Sequence, residues 1–265
     1  MKRALTLILF TFVLQYLFAN ENTADLAGLH ESARRGDAKA QCTLGARYFV
    51  GQGVPQNLAE AAKWYRRAAE QDNAQAQLLL GCCLLNGWGV SKNLVEAVKW
   101  FRKAADQGLA VAQFQLGLCY CNGWGVAKDC SEAVKWYRKS ADQGYVKAQC
   151  NLGSCYWSGE GVRKDCLEAV KWYRKAADQG EAKAQCCLGT FYSTGQGVVK
   201  DYTEAAKWYR KAAEQEDSNA QCLLGLCYIQ GRGVPKDSEA ALQWIQKAAK
   251  NGNPTAIKIL QNVNR

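Results

Sequence analysis

The chain repeats itself every 36 residues without insertion or deletion, and that period restricts its fold more than any other property. Six units run 38–73, 74–109, 110–145, 146–181, 182–217 and 218–253. They share the pattern A-x-A-Q-x-x-L-G-x-x-Y, then G-x-G-V-x-x-[DN]-x-x-E-A-x-K-W-Y-R-K-A-A. Leu44, Leu80, Leu116, Leu152, Leu188 and Leu224 hold one repeat position, and Trp64, Trp100, Trp136, Trp172, Trp208 and Trp244 hold another. A unit of this size cannot cover its own apolar face, so neighbours must stack to complete a core.

Within a unit the pattern predicts two helices joined by a turn. In the third, Ala112, Leu116, Gly117 and Tyr120 fall on one face at helical spacing. Gly123-Trp124-Gly125-Val126 forms the turn, and Asp129 with Glu132 has the spacing of a capping box at the start of the second helix. The same box recurs as Asn57/Glu60, Asn93/Glu96, Asp165/Glu168 and Asp201/Glu204. Ala240 replaces the Glu in the last unit, which predicts a less sharply defined start there. Ala133, Trp136, Tyr137 and Ser140 face inward, Lys135, Arg138 and Lys139 outward, and Gly144 ends the helix. Residues 20–37 and 254–265 resemble single helices that cap the two ends.

Residues 1–19 have the form of a bacterial-type signal peptide. Lys2 and Arg3 precede an apolar run from Ala4 to Phe18, and Ala19 offers a small residue for cleavage. Such a run is shorter than the roughly 20 residues a membrane helix needs, so membrane contact is expected only through this segment. The reading implies export to the periplasm or beyond. Losing Lys2 and Arg3 lowers the formal net charge from +10 to +8, carried at fixed repeat positions as a solvated surface.

Little in the sequence offers catalysis, and no cofactor or metal is implied. The single histidine, His30, lies in the N-terminal cap. Gly87-Trp88-Gly89-Val90 and its counterparts lack the third glycine of a dinucleotide loop and follow a helix, not a strand. Trp88 and Trp124 are expected to tuck against the adjoining turn. None of the thirteen cysteines is in C-x-x-C spacing. Cys119 with Cys130, and Cys155 with Cys166, recur at the end of a first helix and the start of the next, where a disulfide is feasible in an oxidising compartment. The alternative is that cysteine serves as a small apolar filler, because Cys83 and Cys227 face Leu94 and Ser238 instead.

The Ala-x-Ala-Gln, Leu-Gly, Tyr, Gly-x-Gly-Val, Glu-Ala and Lys-Trp-Tyr landmarks resemble those of the Sel-like repeat family, relatives of tetratricopeptide repeats. The resemblance covers residues 38–253. It implies an all-α, right-handed α/α solenoid of six helix-turn-helix repeats with helical caps, first helices lining the inner surface, and a role as an adaptor in complex assembly. One cysteine-rich bacterial branch of the family is associated with penicillin binding and weak β-lactamase activity. In that branch cysteines replace the Gln of the first helix and the last Ala of the preceding second helix. Gln149 and Ala141, and Gln185 and Ala177, stand there instead, and the chain has no Ser-x-x-Lys. A cell-wall or β-lactam hydrolase is therefore the lesser alternative.

The variable positions of the first helix define the candidate concave binding surface. They are Gln75, Leu79 and Asn86; Val111, Gln115, Leu118 and Asn122; Lys147, Asn151, Ser154 and Ser158; and Lys183, Thr190 and Thr194. This neutral mixture suits a protein or peptide partner. Nucleic acid would call for more cations and stacking aromatics.

Overall fold

A computed structural model describes residues 26–263, so the signal segment 1–19 and the start of the N-terminal cap lie outside the described residues. The described residues are helical with connecting turns. In order they form α1 (Leu26–Arg34), α2 (Ala38–Val50), α3 (Leu58–Glu70), α4 (Ala74–Asn86), α5 (Leu94–Asp106), α6 (Ala110–Asn122) and α7 (Cys130–Asp142). They continue as α8 (Val146–Ser158), α9 (Cys166–Asp178), α10 (Ala182–Thr194), α11 (Tyr202–Glu214), α12 (Ser218–Gln230), α13 (Ser238–Lys250) and α14 (Pro254–Val263). Two compact units divide between Ser140 and Ala141.

In the first unit α2 packs on α3 and α4 on α5, and α2, α4 and α6 each pack on the helix before them as well. The buried face centres on Leu44, Leu80 and Leu116, with Tyr65, Phe101 and Tyr137 between them. Leu29 and Ala33 of α1 cover Ala40, Leu44 and Trp64 of the first repeat. The second unit repeats the arrangement around Leu152, Leu188 and Leu224, and Ala256 of α14 closes it against Cys222, Ile245 and Ala248.

Two close approaches explain residues the repeat keeps. A Cβ built on Gly117 would stand 2.6 Å from the Tyr137 ring, and one on Gly81 2.6 Å from the Phe101 ring. The glycine of the Leu-Gly pair is therefore the seat of a second-helix side chain, aromatic at Gly81 and Gly117 and Ile245 at Gly225. The later turn glycine does a different job. A Cβ on Gly125 would come within 2.2 Å of the Leu94 carbonyl oxygen, and one on Gly197 within 2.5 Å of the Cys166 carbonyl oxygen. Both turns thus rest on the start of the preceding repeat's second helix.

Glutamines at the first-helix start clamp successive repeats. Gln77 Nε2 donates to the Ala69 carbonyl, and Gln77 Oε1 accepts from Gln107 Nε2 at 2.9 Å. Gln185 does the same between the Ala177 carbonyl and Gln215 in the second unit. Buried amides satisfied on both sides fix register without an unpaired polar group.

The expected capping boxes are only half formed. Asn57, Asn93, Asp129, Asp165 and Asp201 each accept from the backbone N–H three residues on. Their own N–H groups donate to first-helix carbonyls, as Asp129 N does to the Tyr120 oxygen at 2.9 Å, which leaves the Glu nothing to cap. The Glu side chains instead pair outward, Glu132 with Lys135 and with the Trp136 indole. The substitution at Ala240 therefore leaves the helix start well defined, contrary to expectation: Asp237 caps α13 through the N–H groups of Glu239 and Ala240.

The outward basic stripe also needs correction. Lys135 is exposed, but arginines at the repeat position of Arg138 tie neighbouring repeats together. Arg102 donates to the Tyr120 hydroxyl, and Arg174 and Arg210 donate to those of Tyr192 and Tyr228. Leu84 replaces the tyrosine in the second repeat, and there Arg66 pairs with Glu96 at 2.8 Å instead.

Candidate functional site

The first helices carry the candidate surface, and each compact unit presents its own part. In the first unit, α4 and α6 leave Gln75, Asn86, Val111 and Leu118 partly open and Asn122 exposed. Leu79 and Gln115 do not belong to it, being 1% and 4% exposed. Their repeat position lies in the seam between adjacent first helices, where Gln115 hydrogen-bonds the Cys82 thiol. Thr43 at the same position is buried too, so polarity there is a poor guide to exposure. Asn86 and Asn122 fold back, each donating through Nδ2 to the carbonyl four residues earlier at 2.8 Å. One face of each amide remains for a partner.

In the second unit, α8 and α10 present Lys147, Asn151, Ser154 and Thr190 partly open, and Ser158, Lys183 and Thr194 exposed. Here the seam position opens, because Asn151 is only half-buried where Leu79 and Gln115 are covered. Hydroxyls on this face connect to tyrosines of the second helices. Ser154 hydrogen-bonds Tyr173, and Thr190 accepts from Tyr209. Burial lowers the pKa of Lys147, with Glu181 opposing the shift. A partly desolvated ammonium on a neutral face is a natural contact for a partner carboxylate.

Trp88 meets Phe49 edge-on at 5.5 Å, and Trp88 and Trp124 are both partly buried against the first unit's core. His30 stands edge-on to Tyr48, at 6.1 Å, within the cap. All thirteen cysteines are free thiols in this structure, so Cys119, Cys130, Cys155 and Cys166 are unbridged. Hydrogen bonds from Asp129 N to the Tyr120 oxygen and from Asp165 N to the Tyr156 oxygen join the backbone beside both pairs. Burial pushes the Cys82, Cys119 and Cys150 thiols up to about 12, which keeps them protonated at neutral pH. Among the described residues no three His, Cys, Asp or Glu side chains converge as metal ligands, and no helix is long and apolar enough to cross a membrane.

Stacked helix pairs with a variable, largely neutral first-helix face define a helical-repeat protein. The chain belongs to the Sel1 repeat family, an interaction family of all-helical solenoids: the repeat matches at 38–73, 74–109, 110–145, 146–181, 182–217 and 218–253. It is similar to the crystal structure of an antigen of uropathogenic Escherichia coli, described as protective and as displaying an SLR fold. That likeness has 40% identity and TM-score 0.85 over 88% of this chain and 50% of the other. A Sel1 repeat protein from Oxalobacter formigenes matches at 40% identity and TM-score 0.79, over 85% of this chain and 88% of the other. In sequence the chain is 41% identical over 70 residues to the secretory immunoglobulin A-binding protein EsiB of Escherichia coli O6:H1. It spans 14% of that protein's length and half of the antigen's.

Proposed function

We propose that this chain is an exported scaffold that binds a protein or peptide along a concave surface made by its first helices. The observation that carries the reading is the contrast along those helices. The positions facing the second helices are fully buried, whereas Asn151, Ser154 and Thr190 stay partly open and Thr194 is exposed. Neutral hydrogen-bonding groups beside the partly desolvated Lys147 fit an extended polypeptide. The signal-like residues 1–19 support export. So do the relatives, one named for binding secretory immunoglobulin A and one described as a protective antigen.

The test is cross-linking of the exported protein in its own cells, identification of what is attached, and reconstitution with the purified partner. Leu118→Glu and Asn122→Arg in the first unit, and Thr190→Arg in the second, are expected to abolish the complex while far-ultraviolet circular dichroism is unchanged. A partner held equally well by all three variants would remove the first-helix surface from consideration.

A further inference from the structure

We propose a second docking site, away from the first-helix face. It is a groove in the second compact unit that takes an extended peptide bearing aliphatic side chains next to a carboxylate. The groove has a volume of about 1080 Å³ and lies where the turn of the fifth repeat rests on the start of α9. Gly197, pressed against the Cys166 carbonyl, sets its floor, and Arg163, Lys164, Leu167 and Val199 line its walls.

Its two apolar walls are the most exposed large apolar side chains among the described residues, Val199 at 89% and Leu167 at 62%. Neither is demanded by the repeat. The position of Val199 holds Pro55, Ser91, Ala127, Arg163 and Pro235 in the other units, and that of Leu167 holds Ala59, Val95, Ser131, Thr203 and Glu239. Two uncovered aliphatic side chains across one groove give a peptide side chain somewhere to be buried.

Charge identifies the occupant. Both carboxylates in the groove are already engaged, Asp165 capping α9 through the Glu168 N–H and Glu168 pairing with Lys171 at 2.5 Å. Lys164 lies over the Trp157 ring at 5.3 Å. Arg163 is exposed and has no ion-pair or hydrogen-bond partner among the described residues. A free guanidinium fork beside apolar side chains matches a carboxylate bidentately, and the chain's positive net charge favours the same sign of partner.

The experiment is to pan a phage-displayed random dodecapeptide library on the full-length protein, then measure the selected peptides by fluorescence anisotropy. Enriched sequences should place Asp or Glu beside Leu, Ile or Val. Arg163→Glu and, separately, Val199→Asp should weaken them at least about tenfold, the scale of one lost charge-assisted pair or one lost apolar anchor. Asn151→Arg, on the first-helix face, should leave them unchanged, so the outcome is independent of the surface proposed above. Failure to enrich any sequence, or enriched peptides indifferent to both groove variants, would overturn the proposal. Arg163-dependent binding to phosphatidylcholine vesicles containing phosphatidylserine, with no peptide selected, would overturn it in favour of a lipid surface.

Discussion

Replacing Gly117 with alanine adds one methyl group at the tightest point of the repeat. The new Cβ would lie 2.6 Å from both Cδ1 and Cε1 of Tyr137 and 3.2 Å from the Ala133 carbonyl oxygen. Carbon atoms prefer about 3.5–4.0 Å, so the ring has to retreat by roughly 1 Å. Tyr137 is 1% exposed and has nowhere to go. Overpacking of this kind costs about 1–3 kcal/mol. Against it stands the gain of about 1 kcal/mol that alanine brings over glycine inside a helix. The net expectation is a loss of up to about 2 kcal/mol. Gly153 is a built-in comparison, because there the nearest Tyr173 ring atoms would be 3.1–3.2 Å away. Gly153→Ala should therefore come out near zero. Urea unfolding of the full chain, followed by circular dichroism, measures both. In a Tyr137→Leu background the Gly117→Ala penalty should largely disappear, a coupling that a double-mutant cycle isolates. If Gly117→Ala stabilised the protein by the full helix-propensity gain, or cost less than Gly153→Ala, the ring-on-glycine explanation would be wrong.

Three further outcomes are expected. Glu216 sits at φ +65 where four of the six repeats have glycine, so Glu216→Gly should relieve left-handed strain and raise stability by about 1 kcal/mol in the same urea assay; a loss would refute this. The hydrogen bond from Arg66 lowers the Glu96 pKa below 4.5, so the pair stabilises the fold above that pH and the contribution fades as pH falls through the folded value. Glu96→Gln should accordingly cost at most about 1 kcal/mol near neutrality and nothing in acid, and a penalty independent of pH would contradict the assignment. On export into an oxidising compartment, Cys119 should bridge Cys130, and Cys155 should bridge Cys166, each pair giving up two protons and two electrons to a thiol oxidant such as a disulfide oxidoreductase. Mass spectrometry of the unreduced protein would then show one hydrogen lost per bridged cysteine, whereas alkylation of Cys119 and Cys130 without reduction would dismiss the idea.

The fold was legible because the repeat states its landmarks six times. Leucine, tryptophan and glycine at constant spacing locate the core without knowledge of any contact. The Gln at the start of each first helix was legible as a landmark but not as a clamp, since its partner is a whole repeat away, as with Gln77 and Gln107. The capping box misled because a local pattern cannot reveal that the cap's own N–H is claimed by a carbonyl across the turn, as Asp129 is by Tyr120. Asn122 and Thr194 are exposed where the helical projection put them, whereas Leu79 and Gln115 are buried. Helical projection separates the face that meets the second helix from everything else. It does not show how closely neighbouring first helices approach, and that distance decided burial at the seam. The groove at Arg163 and Val199 left little signal, because both occupy one variable repeat position that holds Pro55, Ser91, Ala127 and Pro235 in the other units.

All of this rests on each repeat being incomplete without its neighbours, and circular dichroism can examine that in a single comparison. A peptide of residues 110–145 should be largely unfolded in water, while the full chain shows strong helical signal and a cooperative melt. A stable, cooperatively melting helical structure in the isolated repeat, or substantial sheet in the full chain, would contradict it.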